Sequence, residues 1–385
     1  MPVQLTEEQV AFRDVAVRFA RDKLAPGYLA RSKDHGLDRD LVREMGALGL
    51  IAPDMPEEFG GLGASSVTVG VLAEPIAAAD INLSYAQLLG SLLGGMVVQH
   101  ADADVAREWM PRIIAGEKLI GLGLTEPRGG SDAVNLQLRA AKVDGGWKLN
   151  GEKTSMSLSD QADIAIIFAR SGDPEGKARG VSAFLVELDQ EDITRTHFDD
   201  VGSRPVGRGS VFFDDVFVPD VMLMAERDNA FGSVMAGFDY SRALIGLQCL
   251  APAQQSVDET WEYVKEREAF GAPIAQYQGV SFPLAEAETQ LTMMRELCYH
   301  TLGLRDTGQR HTAEAAMCKW YVPKTAAEIL HQCLLLHGHY GYTHDLPHHQ
   351  RYNDVLGLQI GDGTAQIQKL VIAREKAGRI VLQYD

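Results

Sequence analysis

The sequence lacks paired cysteines. Cys249, Cys298, Cys318 and Cys333 are the only four among 385 residues, and no two form a CxxC pair. All lie beyond residue 248, within helical-looking sequence, which argues against a disulfide framework or a cysteine-built zinc site and fits free thiols in a reducing cytosol. Basic charge is also scarce: 36 Lys and Arg stand against 53 Asp and Glu, for a net charge of −17. So acidic a chain, with no basic stripe, repels a phosphate backbone, which argues against a nucleic-acid binder. An anionic ligand must therefore be held locally, by a few arginines, backbone N–H groups or helix N-termini. Long apolar runs are missing too. The most apolar stretch, Tyr85 to Val98, is too short to span a bilayer and contains Gly90, Gly94 and Gly95. The start, MPVQLTEEQVAF, has no basic region leading into an apolar one and is too acidic for a transit peptide, so a cytoplasmic location is expected. There is no internal repeat and no low-complexity segment.

What is present is a folded, soluble composition. Hydrophobic residues make up 45% and charged residues 23%. At roughly 150 residues per domain the length allows two or three domains. Thr6 followed by Gln9 is a capping box for a helix running through Val10, Val15, Val17, Phe19 and Leu24, which Pro26-Gly27 should stop. A second helix is predicted through Leu41, Val42, Met45 and Leu48, and a small-residue helical stretch from Val67 to about His100. Near Leu119 the pattern changes to period-2 apolar runs at Trp147–Leu149, Ile164–Phe168, Val181–Leu188 and Val211–Val218, and Asn150-Gly151 reads as a hairpin turn. From about Ala230 helical periodicity returns over Ser233–Arg267, Gly279–Leu304, Thr312–Leu336 and Thr364–Leu382. Four such helices need one another to cover their apolar faces, as in a bundle.

Five segments carry polar or glycine patterns suited to chemistry. GLGLTEPRGGSD, Gly121 to Asp132, offers close backbone approach and small donors and acceptors; it suits a polar cofactor or phosphate, or is an ordinary glycine turn. Its GxG has no third glycine in dinucleotide-fold spacing. In FDYSRALIG, Asp239 and Arg242 lie three apart on a helix, which reads equally as an exposed ion pair. REAFGAPIAQYQ, Arg267 to Gln278, is a loop between helices. LLLHGHYGYTHD contains His337, His339 and His344, read as loop histidines before metal ligands because no acidic cluster sits at ligand spacing. In GDGTAQIQKLVIAR, Asp362 lies between two glycines ahead of a helix at Thr364, either as a dipole-favoured acid in a turn or as a reactive group.

The order and spacing of these segments resemble the acyl-CoA dehydrogenase family. LTEPRGGSD matches that family's first signature and LNGEK (149–153) its middle-domain segment. Phe238-Asp239 with Arg242 matches its substrate helix, Arg267, Phe270-Gly271 and Gln278 its R…FG…Q loop, and GDGTAQIQ its terminal segment. The match spans essentially the whole chain in family order. The resemblance implies an α+β multidomain fold: an N-terminal helical domain (1–118), a middle β-barrel-like domain (119–228) and a C-terminal four-helix bundle (229–385). It implies FAD as cofactor, a homotetramer, an acyl-CoA substrate and an electron-transferring flavoprotein as electron acceptor. By the same resemblance, Leu122, Leu124, Thr125, Gly130, Ser131, Ser155 and Ser157 lie against the flavin, and Arg267, Phe270, Gln278 and Gly338 belong to the FAD contacts, with Arg267 and Gln278 reaching a neighbouring subunit's FAD. Thr364 and Gln366 touch FAD from the terminal segment. Ser131, Asp239, Arg242 and Gly363 hold the CoA thioester.

The implied chemistry is α,β-dehydrogenation: a carboxylate removes the α-proton while the β-hydrogen leaves as hydride to flavin N5. The family's usual base is a Glu directly before Gly-Thr, and here that position is Asp362. Some relatives place the carboxylate on the substrate helix instead, where this chain has Ser241. Asp362 is the candidate base. Its side chain is one methylene shorter than Glu, about 1.5 Å of reach, and the residue before it is Gly361 rather than a large aromatic. Both changes widen the pocket and predict an α-branched or ringed acyl group, with cyclohexane-1-carbonyl-CoA as the leading case, as in the family's alicyclic branch. Three positions depart further: Ser155 replaces a Trp beside the flavin, Leu335 a Gln, and His339 a glycine. The alternatives are 1,4-dehydrogenation of a cyclic enoyl-CoA, a nitroalkane-oxidase-like flavoenzyme, and a non-catalytic flavin-binding assembly protein.

Overall fold

The computed structural model describes residues 4–172, 180–224 and 231–381. The first six helices are α1 (Glu7–Phe19), α2 (Tyr28–Arg31), α3 (Arg39–Ala47), α4 (Ser66–Ala79), α5 (Ser84–His100) and α6 (Ala103–Ile114). Thr6 and Gln9 form the expected reciprocal cap on α1. Pro26-Gly27 does not stop the helical path as the sequence suggested. The chain tightens through a π turn (Ala20–Leu24) and a 3₁₀ turn (Ala25–Gly27) into α2, where Pro26 occupies a first-turn position that needs no N–H donor. The single stretch expected from 67 to 100 is two helices. They separate at Asp80, whose extended backbone turns the chain while its carboxylate accepts from Asn82 N–H at 3.0 Å and pairs with Arg31 at 2.8 Å.

An eight-stranded sheet follows: β1 (Ile120–Gly123), β2 (Arg139–Val143), β3 (Gly146–Met156), β4 (Ile164–Arg170), β5 (Val181–Glu187), β6 (Ile193–Arg195), β7 (Gly209–Pro219) and β8 (Leu223–Met224). The order is β6-β7-β3-β2-β4-β5-β8, with β1 lying parallel on β4. Residues Ile164 to Ala169 of β4 are all buried, so this strand is covered on both faces. The period-2 runs are strands, but Asn150-Gly151 is not a hairpin. The β2–β3 turn is Asp144-Gly145, and β3 runs straight through Asn150. Gly151, at φ +135°, is where the β3–β7 register slips by a residue, and Asn150 exchanges side-chain bonds with Asp215 at 2.7 and 3.0 Å. The positive-φ tolerance that suggests a turn serves a bulge instead.

The remaining helices are α7 (Phe231–Glu266), α8 (Gln278–Asp306), α9 (Thr312–Leu336), α10 (His348–Leu356) and α11 (Ala365–Ala377), with a small hairpin, β9 (Glu268–Ala269) and β10 (Ala272–Pro273), between α7 and α8. The four long helical segments expected here are α7, α8, α9 and α11, and α9 packs against each of the other three. The apolar periodicity does not predict α10. Its Asp354 is fully buried and gathers bonds from three regions of the chain: Tyr28 Oη (2.7 Å), Asn82 Nδ2 (3.2 Å), Ser203 N–H (2.6 Å) and Gln350 Nε2 (2.7 Å). All four cysteines are buried and free. Among the described residues no helix is long and apolar enough to cross a membrane.

Candidate active site

The fold brings the substrate-helix and terminal segments together. Ser241, on α7, donates its Oγ proton to Asp362 Oδ2 at 3.2 Å. Beside it, Arg242 pairs with Asp239 at 2.8 Å, and Thr312 at the start of α9 donates to the other Asp239 oxygen at 2.6 Å. This pair is not the exposed i, i+3 pair that spacing alone allowed: the two side chains are 7% and 15% exposed. Burial pushes the Arg242 guanidinium below its ordinary range, and Asp239 and Asp362 oppose that. Its Nε is buried with no partner among the described residues. An orphaned donor on a nearly buried cation is a seat for a polar ligand.

Asp362 stands in a turn between α10 and α11 with φ +54°, a left-handed conformation uncommon outside glycine. The turn is held by Gln368 of α11, whose Nε2 donates to the carbonyls of Asp362 (2.9 Å) and Gly363 (3.2 Å). Gly363, at φ +94°, is fixed by conformation, and a Cβ there would push aside the Gln368 amide that holds the turn. Gly361 is different: a Cβ there would meet only the Gly357 carbonyl at 3.9 Å, so the position where the family resemblance expects an aromatic is open. Among the described residues the Asp362 N–H donates to no group of the chain, which leaves it free for a thioester oxygen. From α5, the buried Tyr85 accepts a bond from Arg208 at 2.6 Å, and Arg208 lies 3.6 Å from the Cβ position of Gly357.

The middle-domain residues form a second group. Leu122 is in β1, Leu124, Thr125, Gly130 and Ser131 lie in the loop that follows, and Ser155 and Ser157 lie at the end of β3. The Thr154 N–H donates to the Thr125 carbonyl at 2.9 Å and joins the two stretches. Beneath them Lys153, fully buried, pairs with Glu126 at 2.6 Å and donates to the Leu124 carbonyl at 3.2 Å. Burial pushes the Lys153 ammonium down to about 8 despite Glu126. The Glu126 carboxylate also accepts the Leu138 N–H at 2.9 Å and the Gln137 N–H at 2.5 Å. The glycines of β1 have a packing role: a Cβ on Gly121 would meet Met156 Cε at 2.5 Å, and one on Gly123 would meet Ile167 Cδ1 at 2.6 Å. Among the described residues β1 pairs with β4 alone, and the hydroxyls of Thr125, Ser131, Ser155 and Ser157 have no partner within the chain. An unpaired strand edge flanked by free hydroxyls fits the polar rim of a flavin ring.

A third group stands apart from both. Arg267, Phe270 and Gln278 lie on the β9–β10 hairpin and at the start of α8, all exposed, with Phe270 97% exposed at φ +53°. Among the described residues neither Arg267 nor Gln278 has a side-chain partner, and Gly338 opens an exposed 3₁₀ turn at φ +59°. Thr364 is the N-cap residue of α11 without a side-chain cap bond, and Gln366 is exposed on its first turn. The histidines do not converge. His337 bonds the Cys333 carbonyl at 2.9 Å and stacks between Tyr263 and His348, His344 meets His349 at 3.0 Å, and His339 is exposed.

Three family models cover the chain in order: the acyl-CoA dehydrogenase N-terminal domain over residues 6–117, the middle domain over 121–216 and the C-terminal domain over 230–377. The chain belongs to the acyl-CoA dehydrogenase family. Members are FAD-dependent oxidoreductases. The chain is 32% identical to benzylmalonyl-CoA dehydrogenase of Aromatoleum aromaticum, over 97% of this chain and 99% of that one. It is 29% identical to the CarC subunit of the caffeyl-CoA reductase–Etf complex of Acetobacterium woodii, over 96% and 98%. Butyryl-CoA dehydrogenase from Megasphaera elsdenii superposes with a TM-score of 0.94 at 27% identity, over 98% of this chain and all of that one.

Sequence reasoning missed Gln368, Tyr85, Arg208 and a buried lysine of α9. Gln368 closes the GDGTAQIQ segment without being singled out in it, and the other three belong to no glycine-rich or charged motif; each acts on a segment distant in sequence or on a turn whose shape the sequence does not announce.

Proposed function

We propose that this enzyme dehydrogenates an α-branched or alicyclic acyl-CoA, with cyclohexane-1-carbonyl-CoA to cyclohex-1-ene-1-carbonyl-CoA as the leading case, and that Asp362 is the base. The observation that carries this is the Asp362 carboxylate touching Ser241 beside an open Gly361. Ser241 holds the place where other members keep their carboxylate, so both family base positions face one point. The shorter Asp side chain must still come within about 3.5 Å of the α-carbon. A ring at that carbon fills the space that the missing methylene and the missing aromatic leave.

Asp362 takes the α-proton while its own N–H meets the charge growing on the thioester oxygen. Arg242, oriented by Asp239 and Thr312, holds the polar arm of CoA, with Ser131 and Gly363 beside it. That seat favours a CoA ester over a nitroalkane. When bound, FAD would supply the hydride acceptor for the β-hydrogen. Leu122, Leu124, Thr125, Gly130, Ser131, Ser155, Ser157, Thr364 and Gln366 would hold it. Ser155 leaves the flavin edge less covered than a Trp would.

The exposed, unpartnered Arg267, Phe270, Gln278 and Gly338 fit a role toward a second subunit's FAD, within a homotetramer of chains divided near residues 118 and 228. The Etf complex in which the CarC relative is named supports an electron-transferring flavoprotein as the acceptor. The test is anaerobic bleaching of the FAD-loaded protein by linear, α-branched and alicyclic acyl-CoAs. The alicyclic ester should bleach fastest, and preference for straight chains would overturn the substrate assignment.

A further inference from the structure

Lys319 lies in the first third of α9 and is 1% exposed. Its ammonium donates to the Leu358 carbonyl at 2.6 Å and to the Gly363 carbonyl at 3.4 Å, one on each side of Asp362. Among the described residues it makes no salt bridge, which is unusual for so deeply buried a cation. Burial lowers its proton affinity, and the charge of Asp362 is the largest influence opposing that. The ammonium and the carboxylate therefore belong to one electrostatic unit, joined through the backbone of a turn held in a left-handed conformation.

The other groups around the turn are already occupied. Arg242 of α7 is paired with Asp239 at 2.8 Å, and Arg374 of α11 bears on Arg242. Tyr85 of α5 accepts from Arg208 of the β7 approach, and burial keeps its phenol neutral. Cys249 of α7, near Lys319, is a neutral thiol because burial pushes it up to about 12. Gln368 of α11 bonds the same Gly363 carbonyl as Lys319 but carries no charge. Lys319 is the buried cation at this turn without an anion bonded to it.

We propose that Lys319 is the positioning residue of the active site, fixing the Asp362 turn from α9 through the carbonyls on either side of the carboxylate. This rests on Asp362 being the base. Loss of the ammonium should let the turn, and with it the carboxylate, drift from the α-carbon, so the chemical step should slow more than binding weakens. Gln368 supplies the control, because its loss loosens the same turn without changing charge.

The experiment compares the FAD-loaded wild type with Lys319→Met, Lys319→Arg, Gln368→Leu and Asp362→Asn, reading the rate of anaerobic flavin reduction and the KM for acyl-CoA. Lys319→Met should slow reduction about tenfold or more, with a smaller change in KM, and Gln368→Leu should slow it in the same sense. Should Lys319→Met fail to fold, Lys319→Arg carries the test: it keeps a donor in a poorer fit, so the rate falls while KM holds. An unchanged reduction rate in the folded Lys319 variant, or a rise in its KM as large as the fall in rate, would overturn the proposal. Full activity in Asp362→Asn would instead remove the assignment of the base beneath it.

Discussion

The hydroxyl of Ser241 donates to Asp362 Oδ2 at 3.2 Å although 121 residues separate the two in the chain. That contact sets the two positions side by side. Asp362→Asn should lower flavin reduction by about a thousandfold or more, the scale for losing a general base. Adding Ser241→Glu to that variant should restore a measurable fraction of the rate. No recovery, in protein that retains FAD, would mean that Ser241 does not face the α-carbon.

Gly361 gives the cleanest handle on substrate size. With only a carbonyl 3.9 Å from its Cβ position, Gly361→Tyr should change stability by less than about 0.5 kcal/mol. Its ring would occupy the space assigned to an alicyclic acyl group. Bleaching by the cyclic ester should fall about tenfold relative to a straight-chain ester. An unchanged ratio would show that the acyl group lies elsewhere.

Arg242→Lys keeps the charge and loses the planar fork that Asp239 orients at 2.8 Å. Steady-state assays with an artificial acceptor should show KM for acyl-CoA raised about tenfold, about 1.4 kcal/mol, with a smaller change in kcat. A fall in kcat alone would move Arg242 from binding to chemistry.

His348 bears on acid stability. Burial, then His337 and Arg351, lower its proton affinity from 6.5 to about 3. A histidine whose folded value is depressed stabilises the fold above the unfolded value and loses that contribution as pH falls toward the folded one. Unfolding therefore takes up a proton between about pH 6.5 and 3, costing about 1.4 kcal/mol of stability per pH unit. His348→Phe keeps a ring against His337 and should flatten that slope in denaturant titrations at pH 7, 5 and 4. An identical slope in both proteins would assign the acid lability to other groups.

Much of this was legible in the chain. Thr6 and Gln9 announce a helix start because a cap is a local contact, and Ile164 to Phe168 announce a strand as one of the apolar runs read at period 2. The segments around Thr125, Asp239 and Asp362 carried the family pattern in order. What stayed hidden is non-local. Asn150-Gly151 has the turn chemistry of a hairpin, and only β7 alongside it makes it a bulge. Lys319 looks like one more charge on a helix until the 358–363 turn folds over it. The Asp80 break between α4 and α5 depends on Arg31, far earlier in sequence.

Asp354 accepts hydrogen bonds from Tyr28, Asn82, Ser203 and Gln350, and so ties the leading helices, the sheet and the closing helices to one carboxylate. Its consequence is mechanical. None of the three regions can come away without stranding a charge in the interior, so heat should melt them in a single step. An apolar residue in place of Asp354 should let the regions detach successively, each with its own transition.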